Sequence, residues 1–174
     1  MPWNLDPTHS SIQFAVKHMV ISTARGTFKD YDIEAEVDPA DFSASNATVT
    51  IKAESLETNN DDRDAHLRSP DFFDVENYPN ITFVTKKIER KRGDDYRILG
   101  DLTIRGITKE VTLDGEVSGP QQDPWGNQRI GLSANGKVNR KEFGLNWNVA
   151  LEAGGLLVGE DVKLSIEAEL VKAA

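Results

Sequence analysis

Residues 96–117 read YRILGDLTIRGITKEVTLDGEV. Tyr96, Ile98, Gly100, Leu102 and Ile104 recur at every second position, the period that puts side chains on one face of a strand. Gly106 supplies a turn, and Val111, Leu113 and Val117 resume the alternation on the way back. The stretch is a hairpin with one apolar and one polar face, and such a face must be buried against another layer.

The pattern continues outward in both directions. Ile12, Phe14, Val16 and His18 mark a strand over residues 11–18. Gly26 and Phe28 open a second, whose apolar set changes parity to Tyr31, Ile33, Ala35 and Val37; a one-residue bulge near Lys29 and Asp30 would account for the change within one strand. Ala47, Val49, Ile51 and Ala53 define a third. Ile81 and Phe83 open a fourth, which ends in Lys86, Lys87, Arg90, Lys91 and Arg92 before a turn at Gly93. Charge runs of this kind usually face water at a hairpin tip; the alternative is peripheral membrane contact through anionic headgroups. Downstream, Ile130, Leu132, Ala134, Gly136 and Val138 give a seventh strand. Phe143, Leu145, Trp147, Val149 and Leu151 give an eighth, and Val162, Leu164, Ile166, Ala168 and Leu170 a last one beyond Gly154 and Gly155.

Eight or nine antiparallel strands with no long amphipathic helix must cover their own apolar faces. The expected class is therefore all-β, and a meander of hairpins favours an up-and-down barrel. A barrel of this size holds either its own side chains or one small ligand. The small inward residues Ala35, Ala47, Ala53, Gly100, Ala134, Gly136 and Ala168 argue for unfilled space, and they fit the taper of a solid core equally well.

One segment breaks the alternation. Residues 61–79, DDRDAHLRSPDFFDVENYP, crowd Arg63, Asp64, His66 and Arg68 beside Leu67, Phe72 and Phe73. A helical turn or two around Asp62 to Arg68 and a short turn after Pro70 are expected. A segment carrying its own apolar side chains should lie across the end of the sheet, as a lid.

Composition narrows the function classes. The 174 residues show no shift along their length, so residues 1–174 are expected to form a single domain. Cysteine is absent, which excludes disulfides, thiolate metal sites and cysteine nucleophiles. A net charge of −9 argues against a nucleic-acid partner. Without a signal-peptide pattern or a long apolar run, the chain is expected to be cytoplasmic, or periplasmic or secreted where a leader has been removed. HExxH, GxSxG, P-loop and GxGxxG patterns are missing. Asp64 with His66, and His9 or His18 brought to them, would be the only start of a metal site; no catalytic residue, metal or cofactor is assigned.

Five blocks carry a resemblance: DPTHSSIQFAVKH from Asp6, GTF from Gly26, RDAHLRSPDFFDVENYPNITF from Arg63, GDLTIRGITKEV from Gly100 and NRKEFGLNW from Asn139. In this order, from about Trp3 to Leu170, the chain resembles the YceI-like family. The resemblance implies a lipocalin-like extended antiparallel barrel whose apolar bore accommodates a polyisoprenoid, an isoprenoid quinone or a similar long-chain lipid. On that reading Phe14, Val16, Val49, Ile51, Phe83, Leu102, Leu113, Leu132, Val149 and Leu164 line the bore, and Leu67, Phe72 and Phe73 close it. His18, Arg63, His66, Arg105 and Arg140 are the donors for a headgroup at the mouth. Plainer roles stand beside these: Arg63, Asp64 and Arg68 pairing to fix the lid, His18 as a structural histidine, His9 bonding locally in a turn, and Arg140 anchored to a carboxylate. The expected function is transport, storage or sensing of lipid without catalysis. A barrel enzyme acting on a lipid and a partner-binding, stress-protective domain are the alternatives, and a homodimer is compatible with the outer surface.

Overall fold

The computed structural model describes residues 3–151 and 157–172, so Gly154 and Gly155 lie outside the described residues. Its strands are β1 (Asn4–Leu5), β2 (Ser11–His18), β3 (Ser22–Phe28), β4 (Tyr31–Glu36), β5 (Asn46–Lys52), β6 (Leu56–Glu57), β7 (Asn80–Arg92), β8 (Asp95–Ile104), β9 (Ile107–Gln122), β10 (Gln128–Asn139) and β11 (Val158–Lys172), with one helix, α1 (Asp61–Arg68). They form one sheet in the order β4-β5-β7-β8-β9-β10-β11-β2-β3-β6, with β1 added to β11. Every pairing is antiparallel. The sheet curls into a half-barrel, all-β and antiparallel as the alternation implies and lipocalin-like as the resemblance implies. At one end Trp3 bridges Ala35 of β4 while Asn4 and Leu5 pair with Val171 and Leu170 of β11, so β1 spans the seam there.

Two strands differ from the expectation. The parity change after Phe28 is a change of partner rather than a bulge: β3 pairs with β2, and β4 pairs with β5. Lys29 N–H donates to the Ser55 carbonyl and Lys52 N–H to that of Asp30, holding the crossing in place. The eighth strand does not form. Arg140–Phe143 is a 3-10 turn, ended by Gly144 at φ 77°, and residues 145–149 follow without a ladder. Arg140 takes the carbonyls of Leu145 and Trp147, and the Asn148 amide bonds the backbone of Val149 and Val158, so groups that a ladder would use are already satisfied. The basic run ends β7 before the turn at Gly93 and is exposed, as expected, and its register shifts against β8 between Thr85 and Lys87 and again between Arg90 and Arg92. Such irregularities bend the sheet toward closure.

The lid forms where the alternation lapses. Asn60 caps α1 by accepting from Arg63 N–H; Asp61, Asp62 and Asp64 occupy the first turn, and His66 and Arg68 the last, complementing the helix dipole. Thr58 is its anchor. The buried Asp64 carboxylate accepts from the Thr58 N–H (2.9 Å) and hydroxyl, while Arg63 donates to the Thr58 hydroxyl (2.8 Å) and carbonyl (2.6 Å). Arg68 donates to the carbonyls of Glu54 (2.9 Å) and Leu56 (2.8 Å). The charged cluster thus fixes the lid through one threonine and the β6 backbone rather than through pairs among its own members.

The interior is divided. Trp3, Ile33, Tyr96, Ile98, Ile130 and Leu170 are buried and pack solidly at the end that β1 closes. The lid end is hollow.

Candidate functional site beneath the lid

A cavity of about 560 Å³ opens inside the lid end, within the range of sites that take a drug-sized ligand. The walls come from alternate positions of the surrounding strands. Phe14 and Val16 of β2, Val49 and Ile51 of β5 and Phe83 of β7 reach it, as do Leu102 of β8, Leu113 of β9 and Leu164 of β11. Leu67, Phe72 and Phe73 of the lid close over it. The lid rings join the aromatic side chains of the wall, with Phe73 edge-on to Phe28 at 5.9 Å and Phe72 against Trp147 at 5.5 Å.

Three expected residues lie elsewhere. Arg105 bonds the carbonyls of Phe72 and Gly144, tying the lid to the turn after β10 instead of facing the cavity. Leu132 packs against the solid half and borders a shallow polar surface pocket with Glu116 and Glu167. Val149 is 47% exposed because the strand that would have turned it inward is absent. Sequence reading missed Trp147, Phe143 and Leu145 as wall residues. It grouped them by period two, whereas a 3-10 turn and an extended loop deliver them.

Polar groups collect on the same cavity. His18, Lys17, Asn60, Asp62, Arg63, His66 and Arg140 all border it. His18 makes no side-chain hydrogen bond among the described residues, so the satisfied structural role is not what the fold gives it. His66 Nε2 lies 2.8 Å from Asp71 Oδ2 and its ring meets Trp147 edge-on at 4.5 Å, a lid contact as much as a mouth group. Arg140 is 3% exposed and has no carboxylate anchor; it donates to the carbonyls of Gly159, Leu145, Trp147 and Val158. Burial pushes its guanidinium below the ordinary arginine value. Arg63 commits Nε and Nη2 to Thr58. An acidic protein therefore presents several cationic or donor groups at its large apolar cavity.

A second cluster lies on the outer surface. Asp6, His9 and Glu169 hold their ligand atoms within 4.8 Å of one another, close enough for a cation. The Arg129 guanidinium already sits among them, 2.9 Å from both Asp6 and Glu169, and a third bond reaches Asp123. His9 and Arg129 hold the Asp6 carboxyl well below the usual carboxylate range, and Asp6 raises His9. This is an ion-pair clasp, with His9 in the local bonding expected of it.

The YceI-like domain profile matches residues 3–170, with the cavity and the lid inside the matched span. The chain belongs to the YceI-like family. Among YceI-like relatives, UPF0312 proteins of Staphylococcus epidermidis and Staphylococcus aureus are 43% and 42% identical over 168 residues, covering 96% of this chain and 95% of each relative. The YceI protein of Campylobacter jejuni superposes with a TM-score of 0.77 at 36% identity, over 91% of this chain and 90% of that one. Two more distant structures share the fold. Burkholderia cenocepacia BcnA has a TM-score of 0.81 at 24% identity, over 98% and 100% of the two chains. A polyisoprenoid binding domain from Saccharophagus degradans has a TM-score of 0.69 at 15% identity, over 97% of each. No helix among the described residues is long and apolar enough to cross a membrane.

Proposed function

We propose that this YceI-like protein binds one long-chain amphiphile, a polyisoprenoid, isoprenoid quinone or similar lipid, and carries, stores or senses it without chemical change. The observation that carries this reading is the apolar cavity beneath the lid, with hydrogen-bond donors among its lining residues. A tail of ten methylene equivalents transferred from water at ~0.8 kcal/mol each contributes roughly 8 kcal/mol before the cost of association. Burial of the tail therefore drives binding. Lys17, His18 and Arg63 offer charge and hydrogen bonds to a polar or anionic headgroup, whereas Arg140 is largely committed to backbone carbonyls. The polyisoprenoid binding named for the Saccharophagus domain agrees with this chemistry.

Native mass spectrometry of the purified protein, followed by organic extraction, is the test. Near-stoichiometric release of an unmodified polyprenyl or quinone species is expected. Protein that is empty as isolated and takes up no polyprenyl lipid from vesicles would refute the reading, and a chemically altered lipid would move it to the enzyme class.

A further inference from the structure

The turn between β2 and β3 places Met19, Val20 and Ile21 in water, 46%, 59% and 85% exposed. Met19 and Val20 also adopt left-handed backbone, φ 53° and 66°, where Gly, Asn or Asp would be at ease and a β-branched side chain is an outlier. Solvent and backbone both oppose these residues, so neither folding nor solubility accounts for them. The patch does not end at the turn. Met19 N–H donates to Leu157 O and Leu157 N–H to Val149 O, which brings the exposed Val149 alongside. Lys17, His18 and Leu157, in the same place, border the cavity.

Behind the tip the acids are paired and several cations are not: Glu160 pairs with Lys141 at 2.9 Å and Asp161 with Lys137 at 3.6 Å. Lys17, Arg25 and Lys163 are exposed and form no ion pair among the described residues, and Lys163 and Arg25 both register with Ala15 across neighbouring ladders. Elsewhere many cations are engaged. Lys86 pairs with Glu110, Lys87 with Glu89 and Lys91 with Asp114, which neutralises much of the basic run on β7. At about 3.3 Å per strand residue, Lys17 stands ~7 Å and Arg25 ~13 Å behind the turn. A tip buried about 5–10 Å into an interface leaves such cations near the headgroup phosphates.

We propose that the Met19–Val20–Ile21 tip inserts into the surface of an anionic bilayer and seats the cavity mouth against it, with Lys17, Arg25 and Lys163 contacting lipid phosphate. This rests on the lipid-binding reading and deepens it by naming where the cargo is exchanged. The exposed tip, Arg25 and Lys163 are observations separate from the cavity, since none of them lines it. Exposed Trp125 (77%) is a poor rival, because its loop adjoins the acidic cluster of Asp123, Asp6 and Glu169.

Cosedimentation of the full-length protein with phosphatidylglycerol–phosphatidylethanolamine vesicles, and with phosphatidylcholine vesicles, tests the proposal. The wild type is expected to bind the anionic vesicles in preference. Val20→Ser/Ile21→Ser should lower partitioning at least tenfold, Arg25→Glu/Lys163→Glu should abolish the anionic preference, and Trp125→Ser should change neither. Val20→Gly keeps the variant series interpretable: it relieves the left-handed strain, so it should melt higher than the wild type while binding vesicles less. Wild-type protein that ignores anionic vesicles, or a tip variant that binds as the wild type does, overturns the proposal. Extracting lipid from the same samples separates the two readings, since vesicle binding by protein that carries no lipid supports the tip and counts against the cavity.

Discussion

A β-carbon added to Gly26 would overlap the Phe14 ring, one on Gly100 the Phe83 ring, and one on Gly136 the Leu113 side chain. Phe14 and Gly26 face each other across the β2–β3 ladder, and the absent side chain lets the ring lie back against the wall. Gly100 and Gly136 act through their large neighbours, and like Ala35, Ala47, Ala53, Ala134 and Ala168 they are absent from the cavity lining. Gly26→Ala is expected to push the Phe14 ring inward, costing about 1–3 kcal/mol by denaturant unfolding and reducing extractable lipid. Adding Phe14→Leu should recover part of both. His9 carries a pH dependence. Its pKa is raised by the hydrogen bond to Asp6, with Glu169 adding charge, so its contribution is fully present below its ordinary pKa and fades as pH rises through the higher folded value. The melting temperature of the wild type should therefore exceed that of His9→Gln by more at pH 6 than at pH 9. The inward parity of Phe14, Leu102 and Leu113 was legible along the chain. Which of them overlies a glycine was not, because that depends on register between strands.

At the scale of elements, the segment after β10 is organised by Arg140. Its planar fork replaces a ladder, satisfying carbonyls from Leu145 to Gly159. Arg140→Ala would leave several buried acceptors without donors at about 1–3 kcal/mol each, for a total of roughly 3–5 kcal/mol after relaxation. Urea unfolding should show that loss, and limited proteolysis should cut within residues 145–151 first. Arg140→Lys should recover only part, since an ammonium lacks the fork. Period two over Phe143 to Leu151 predicts a strand here, and the competing side-chain bonds of Arg140 and Asn148 prevent it. The same pattern hides the division of the second strand, because a change of partner and a bulge reverse parity alike. The lid was legible, for between Asp61 and Pro79 the alternation lapses while Leu67, Phe72 and Phe73 still need burial.

For the whole molecule, the hollow end should make stability depend on cargo. A ligand at a hundred times its Kd adds ~2.7 kcal/mol, which for a domain of 150–250 residues raises Tm by about 5–10 °C. Calorimetry of delipidated protein, before and after refilling with a polyprenyl lipid, is expected to show that interval; an unchanged Tm would mean that the cavity gains nothing from being filled. Local rules already contained most of the strands, their inner faces, the lid and the absence of cysteine chemistry, since alternation and its lapse are visible over a few residues. Only the tertiary structure decided that one half of the interior is solid and the other hollow. Solidity depends on which side chains meet across the sheet: Tyr96, Ile98 and Trp3 are buried away from the cavity, whereas Leu102, Ile104 and Phe14 line it. Likewise it is closure of the sheet that leaves Met19, Val20 and Ile21 outside the core, at the edge of the opening their sequence neighbours Lys17 and His18 help to line.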